Sequence, residues 1–121
     1  MDEERREEKD FGADVLCGAN SYNEKYYFNP AFDKIPESVK EELKIICVLF
    51  TDEVGGIISI GFDEEGELTI TTQGDDADYY YDDIAAGMLV ARIRQSRQDL
   101  FESLTLYYRV FILHERLEDI D

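Results

Sequence analysis

The sequence predicts an α+β fold: an antiparallel sheet of four or five strands in the order β-β-α-β-β-(β)-α, with one amphipathic helix and a long, kinked or broken C-terminal helix. Three observations carry this reading. Apolar and polar residues alternate over 58–62 and 68–72, on either side of a short acidic turn. Apolar residues recur at threes and fours over 39–54, and again from Ile84 to about His114. A period of two marks a half-buried strand, and a period near 3.6 marks a helix.

Residues 1–10 are almost wholly charged, with no apolar stripe, and read as a frayed helix or a disordered arm that adds little to the core. The remainder, 11–121, reads as a single α+β domain. A chain of 121 residues has a typical single-domain length and buries about two-thirds of its unfolded surface. Ala13, Val15 and Cys17 alternate as a first strand, and Tyr26 and Phe28 mark a second over 24–29. Between them Ala19, Asn20, Ser21, Tyr22 and Asn23 supply turn formers, so a hairpin is expected. Pro30 and Pro36 then bracket a loop, because the residue before a proline is driven out of helical geometry.

The helix that follows starts either with Pro36 in its first turn or with a capping box of Ser38 and Glu41. Val39, Leu43, Ile46, Cys47, Phe50 and Val54 form its apolar face. Ile45, Val48 and Leu49 widen that zone, so the C-terminal half is expected to be buried nearly all round. Gly55 and Gly56 end the helix. Ile58, Ile60 and Phe62, then Leu68, Ile70 and Thr72, give two strands joined by Asp63, Glu64, Glu65 and Gly66, the chemistry of a short hairpin loop. After Gly74, the run from Asp78 to Tyr81 either adds a third strand to this hairpin or leads directly into a helix capped by Asp82 or Asp83. One continuous helix over 82–116 would be about 50 Å long, in a domain of roughly 35 Å diameter. It must protrude, bend or break. The polar stretch 94–99 is the natural place, with Ser96 and Asp99 available as caps.

Composition narrows the function classes. Cys17 and Cys47 lack the spacing of a redox or zinc motif and the density of a secreted scaffold, and read as two buried, reduced thiols. The N-terminal stretch has no apolar core for a secretion signal, and no later run approaches a membrane span, so cytoplasmic residence without membrane insertion is expected. The formal net charge is −17, and no lysine or arginine lies between Lys44 and Arg92. That interval carries Asp52, Glu53, Asp63, Glu64, Glu65, Glu67, Asp75, Asp76, Asp78, Asp82 and Asp83. Such a field repels phosphate backbones and favours basic partners, so direct nucleic-acid binding is not expected. The plain alternative is that the acidity only maintains solubility.

His114 is the sole histidine, so a serine or cysteine nucleophile would have to use it. Cys17 with His114 is the one enzymatic pairing available. No nucleophile elbow, phosphate-binding glycine loop or paired-histidine zinc motif is present, and no catalytic residue is assigned. The aspartates at 75, 76, 78, 82 and 83 suggest a divalent cation. They lack a calcium loop's spacing, and turns and helix capping account for them, so neither a metal nor a cofactor is assigned. In adjacent tyrosines on a strand one ring must face away from the core. Asp75, Asp76, Asp78, Tyr79, Tyr80, Tyr81, Asp82 and Asp83 are therefore the candidate partner-binding residues. Arg92, Arg94, Arg97, Arg109 and Arg116 are placed to offset the acidic sheet within the chain or across a dimer.

The segment from Val15 to Tyr22 with Lys25 to Asn29, then Val54, Gly55 and Gly56, and Leu106, Tyr107, Tyr108 and Arg109, resembles an uncharacterised family of small clostridial proteins, a domain of unknown function. That resemblance implies no activity and no site residues. The inferred element order is similar to the longin and roadblock group of profilin-like domains, which implies a non-catalytic adaptor that dimerises or docks partners on a sheet edge or helix pair. The leading expectation is a non-enzymatic interaction or regulatory module with a basic protein partner, dimeric through the long helix or a sheet edge. An acidic mimic of nucleic acid, such as an immunity-type inhibitor of a basic protein, is the second. An enzyme is the third.

Overall fold

Strand β1 (Asp14–Asn20) pairs antiparallel with β2 (Lys25–Phe28) in a computed structural model that describes residues 14–115. The arm expected at residues 1–10 lies outside the described residues. A register shift between Val15 and Cys17, where β1 meets the third strand, turns two consecutive residues inward, and Leu16 and Cys17 are both fully buried. Asn29 closes this hairpin region: its amide donates to the Val15 carbonyl, and its Oδ1 accepts from the Ala31 N–H to start a short turn of helix (Pro30–Phe32).

Helix α1 (Glu37–Glu53) starts directly after Pro36, whose carbonyl accepts from the Val39 and Lys40 amides. No side chain caps it, so the capping box of Ser38 and Glu41 does not form. Leu43, Ile46, Cys47 and Phe50 are buried, whereas Ile45 and Leu49 are exposed. The C-terminal half of α1 is therefore not buried all round, because no described element covers its outer side. Val54 ends the helix, and Gly55 and Gly56 follow with positive φ.

Strands β3 (Ile57–Phe62) and β4 (Leu68–Gln73) form the expected hairpin. Asp63 Oδ1 accepts from the amides of Glu65 and Glu67 at 2.9 and 3.0 Å, and Gly66 takes φ +88°. The sheet order is β2-β1-β3-β4, antiparallel throughout. The register sets Cys17 opposite Phe28 and Ile60, Ala19 opposite Tyr26 and Ile58, and Phe62 opposite Asp14 and Leu68. Alternation then gathers these side chains on one face. Helix α1 packs on that face, and Cys47 Sγ lies 3.9 Å from Cys17 Sγ where helix and sheet meet.

Among the described residues the sheet has four strands. Residues 79–81 form turns and not the optional fifth strand, since the hydrogen bonds of this segment close on itself. Helices α2 (Asp83–Ser96) and α3 (Gln98–Tyr107) follow, with the chain changing direction at Arg97. Neither Ser96 nor Asp99 caps α3; Ser96 Oγ bonds back to the Ile93 carbonyl. Arg92 pairs with Glu53 at 3.3 Å, and the later Arg97 with the earlier Glu42 at 3.1 Å, so α1 and α2 run in opposite directions. Both pairs are partly exposed and worth about 0–1 kcal/mol each. After α3 a wide turn over Tyr108–Ile112 brings Tyr108 onto Phe62, with ring centroids 4.1 Å apart and nearly parallel. The Tyr108 hydroxyl donates to the Asp14 carboxylate. Burial, reinforced by that bond, pushes its pKa up.

Candidate functional site

The loop between β4 and α2 is held by its own aspartates. The Asp75 carbonyl accepts from the Asp78 amide at 2.8 Å, and Asp75 Oδ1 accepts from the Ala77 amide at 2.9 Å. Asp78 Oδ1 accepts from the Tyr80 amide at 3.1 Å. These are side-chain turns of the kind that short acids make with the backbone two residues on. Asp82, not Asp83, caps α2: its Oδ1 accepts from the Ile84 and Ala85 amides at 3.0 and 3.1 Å.

A residue from the far end of the chain pins this loop. Tyr22, in the turn between β1 and β2, donates its hydroxyl to Asp78 Oδ2 at 2.6 Å and accepts from the Asp75 amide at 2.9 Å. The bond to Asp78 raises the Tyr22 pKa, because it stabilises the protonated phenol. Tyr22→Phe removes both contacts and keeps the ring. Amide exchange at Asp75 and Tyr80 should rise severalfold while the amides of α1 keep their protection; unchanged exchange in the loop would show that the clamp is not what orders it.

The eight predicted residues separate by environment. The carboxylates of Asp75, Asp78 and Asp82 are engaged in the turns and the cap. Tyr81 turns inward, its ring lying against Gly56 and Gly74, and its hydroxyl is buried without a hydrogen-bond partner among the described residues. Tyr79 and Tyr80 stand in solvent, 91% and 96% exposed. The carboxylates of Asp76 and Asp83 are exposed and make no hydrogen bond or ion pair with the described residues.

Ile84 and Met88 extend the exposed apolar surface along the first turns of α2. Sequence reasoning placed them in the helical period without separating the two stripes of α2. Ala86, Leu89, Val90 and Ile93 face the core, and Ile84, Met88, Ala91 and Gln95 face away. The spacing was the available signal, since the second stripe ends in a small and a polar residue.

The one enzymatic pairing read from the sequence, Cys17 with His114, is not brought together. Cys17 is fully buried on β1 and its polar neighbour is Cys47, whereas His114 is exposed beyond the last turn. Hydrogen bonding to Cys17 and burial push the Cys47 thiol well up, which keeps it protonated and a poor nucleophile. The Tyr26 hydroxyl nearby is buried without a hydrogen-bond partner among the described residues, and burial raises its pKa as well. Among the described residues, no three His, Cys, Asp or Glu side chains are grouped to hold a metal ion. Among the same residues, no helix is long and apolar enough to cross a membrane. A cleft on the opposite sheet face is lined by Gly18, Asn20, Lys25, Tyr27 and Ser59.

A family model described as a family of unknown function (DUF6145) matches residues 13–116, a span that takes in every strand and helix described above. No curated protein and no solved structure matches the chain.

Proposed function

We propose that this chain, which belongs to that family of unknown function, is a non-catalytic protein-interaction or regulatory module whose loop over 75–83 docks a basic protein partner. The observation that carries the reading is the pair Tyr79 and Tyr80, exposed at 91% and 96% on a loop anchored by Tyr22, Tyr81 and the Asp82 cap. Two large rings held in water by an ordered backbone offer contact area at little further entropic cost. Asp76 and Asp83 add charge, unpaired among the described residues, that steers a cationic surface toward them. Arginine suits this arrangement best, since its guanidinium stacks on a tyrosine face while pairing with a carboxylate. The likeness of the element order to longin and roadblock domains, mostly adaptors, points the same way at the level of topology.

Asp75 and Asp78 are poor positions for a charge test, because their carboxylates build the loop. Asp76→Lys with Asp83→Lys, and separately Tyr79→Ala with Tyr80→Ala, change the surface and leave those hydrogen bonds in place. The wild-type chain should capture one or more basic proteins from native cells in a salt-sensitive manner. Each double variant should retain at least about tenfold less, with Tm unchanged within a few degrees. Identical captured sets from all three proteins would sink the reading.

A further inference from the structure

Helix α2 carries a second surface that no described residue covers and that shares only Asp83 with the docking loop. Ile84, Met88, Ala91 and Gln95 recur at spacings of four, three and four, which places them on one helix face, and all are exposed. Ile84 and Met88 are 76% and 65% exposed. Gly87 lies beside them at mid-helix, where an added Cβ would meet nothing within 4 Å. A mid-helix glycine weakens a helix relative to alanine, and no contact with the described residues requires one here. Outwardly, it leaves a hollow in which another helix can approach closely.

The charge along α2 says which helix fits. Asp83 stands in its first turn, and Arg94 in its last, about three turns on and on the same side of the stripe. An antiparallel copy of α2 that sets Gly87 against Ala91 brings Asp83 of each copy beside Arg94 of the other. A parallel copy would set like charges together. A merely basic partner would complement Asp83 and repel Arg94. Arg94 has one long bond to the Leu68 carbonyl, at 3.4 Å, and a guanidinium has further N–H groups to offer.

We infer that the outer face of α2 is a homodimer contact, a two-fold antiparallel helix pair in which Ile84 and Met88 pack across Gly87 and Ala91 and Asp83 pairs with Arg94 of the second copy. The pair is isologous, so each favourable contact occurs twice. The contact is small and each copy carries a net charge of −17. The dimer is therefore weak and reversible, with a Kd on the order of 10–100 µM.

Sedimentation equilibrium of the full chain, from about 1 µM to about 1 mM at physiological salt, tests this. A monomer–dimer equilibrium is expected, weakened at least about tenfold by Met88→Asp. Gly87→Ala should raise Tm and still weaken association severalfold, a pair of opposite effects that a structural role for Gly87 does not produce. Asp83→Arg and Arg94→Asp should each weaken the dimer, and together restore it. A chain that stays monomeric throughout, a dimer indifferent to Met88→Asp, or a charge swap that fails to restore association would each overturn the inference. Because the docking loop is untouched by Met88→Asp and Gly87→Ala, loss of dimerisation with capture of the basic partner retained separates this contact from the loop's function.

Discussion

Replacing Phe62 with alanine is expected to cost about 3–5 kcal/mol of folding stability, among the largest effects of any single truncation in this chain. Phe62 is almost fully buried at the end of β3, where its ring stacks on Tyr108 at 4.1 Å and lies 5.9 Å from the ring of Phe32. Three separate stretches of chain therefore meet on this one ring: the sheet, the short turn after β2, and the segment after α3. None of them can collapse into the space without leaving the others, so most of the cavity would persist. Tyr108 would also lose the surface that aims its hydroxyl at Asp14. Since the whole stability of a domain is about 5–15 kcal/mol, the variant should sit near the edge of folding. The check is the urea midpoint at unchanged slope, with Ile84→Ala, a solvent-facing control, expected within about 0.5 kcal/mol of wild type. A cost below about 1 kcal/mol for Phe62→Ala would mean that the aromatic cluster does not close the core.

How far such contacts were legible in advance depended on their separation along the chain. The β3–β4 hairpin was readable to within a residue, because alternation, an acidic turn and a glycine all lie within 57–73 and are local. The face of α1 was equally plain from spacing, yet the same spacing overstated its burial: periodicity ranks positions by direction and cannot say whether a neighbour covers Ile45 or Leu49. The pairing of β1 with β3, and with it the inward turn of both Leu16 and Cys17, depends on a register shift that no local pattern encodes. At the candidate site, turn and cap chemistry foretold what the aspartates do to the backbone. The clamp from Tyr22 was invisible, since it joins residues more than fifty positions apart through one hydroxyl. The sequence also could not separate Tyr81 from its two neighbours, because what draws its ring inward is the absence of side chains at Gly56 and Gly74.

That absence makes Gly56→Ala the second large effect expected, at about 2–4 kcal/mol. Gly56 has φ +72°, where an alanine is strained by about 1–2 kcal/mol before any contact is counted. Its Cβ would also lie 2.7 Å from the Gln73 carbonyl and run into the Tyr81 ring, and a backbone carbonyl in a sheet cannot swing aside as a flexible side chain can. The Gly56 carbonyl further accepts from the Ser21 amide, so a shift here disturbs the turn that presents Tyr22. Gly55 provides the internal control: its φ of +83° is as demanding, but an added Cβ would meet only Ser21 Oγ at 3.9 Å. Gly55→Ala should therefore show the strain alone, about 1–2 kcal/mol, and keep the docking loop intact. Gly56→Ala must displace Tyr81, and with it one of the three anchors that keep Tyr79 and Tyr80 in place. Loop amides should lose protection, and capture of the basic partner should fall under conditions where the variant is still folded. If the two glycine variants are equally stable and equally competent in capture, the packing of Tyr81 on Gly56 is not what orders the loop, and its presentation must rest on Tyr22 and the Asp82 cap.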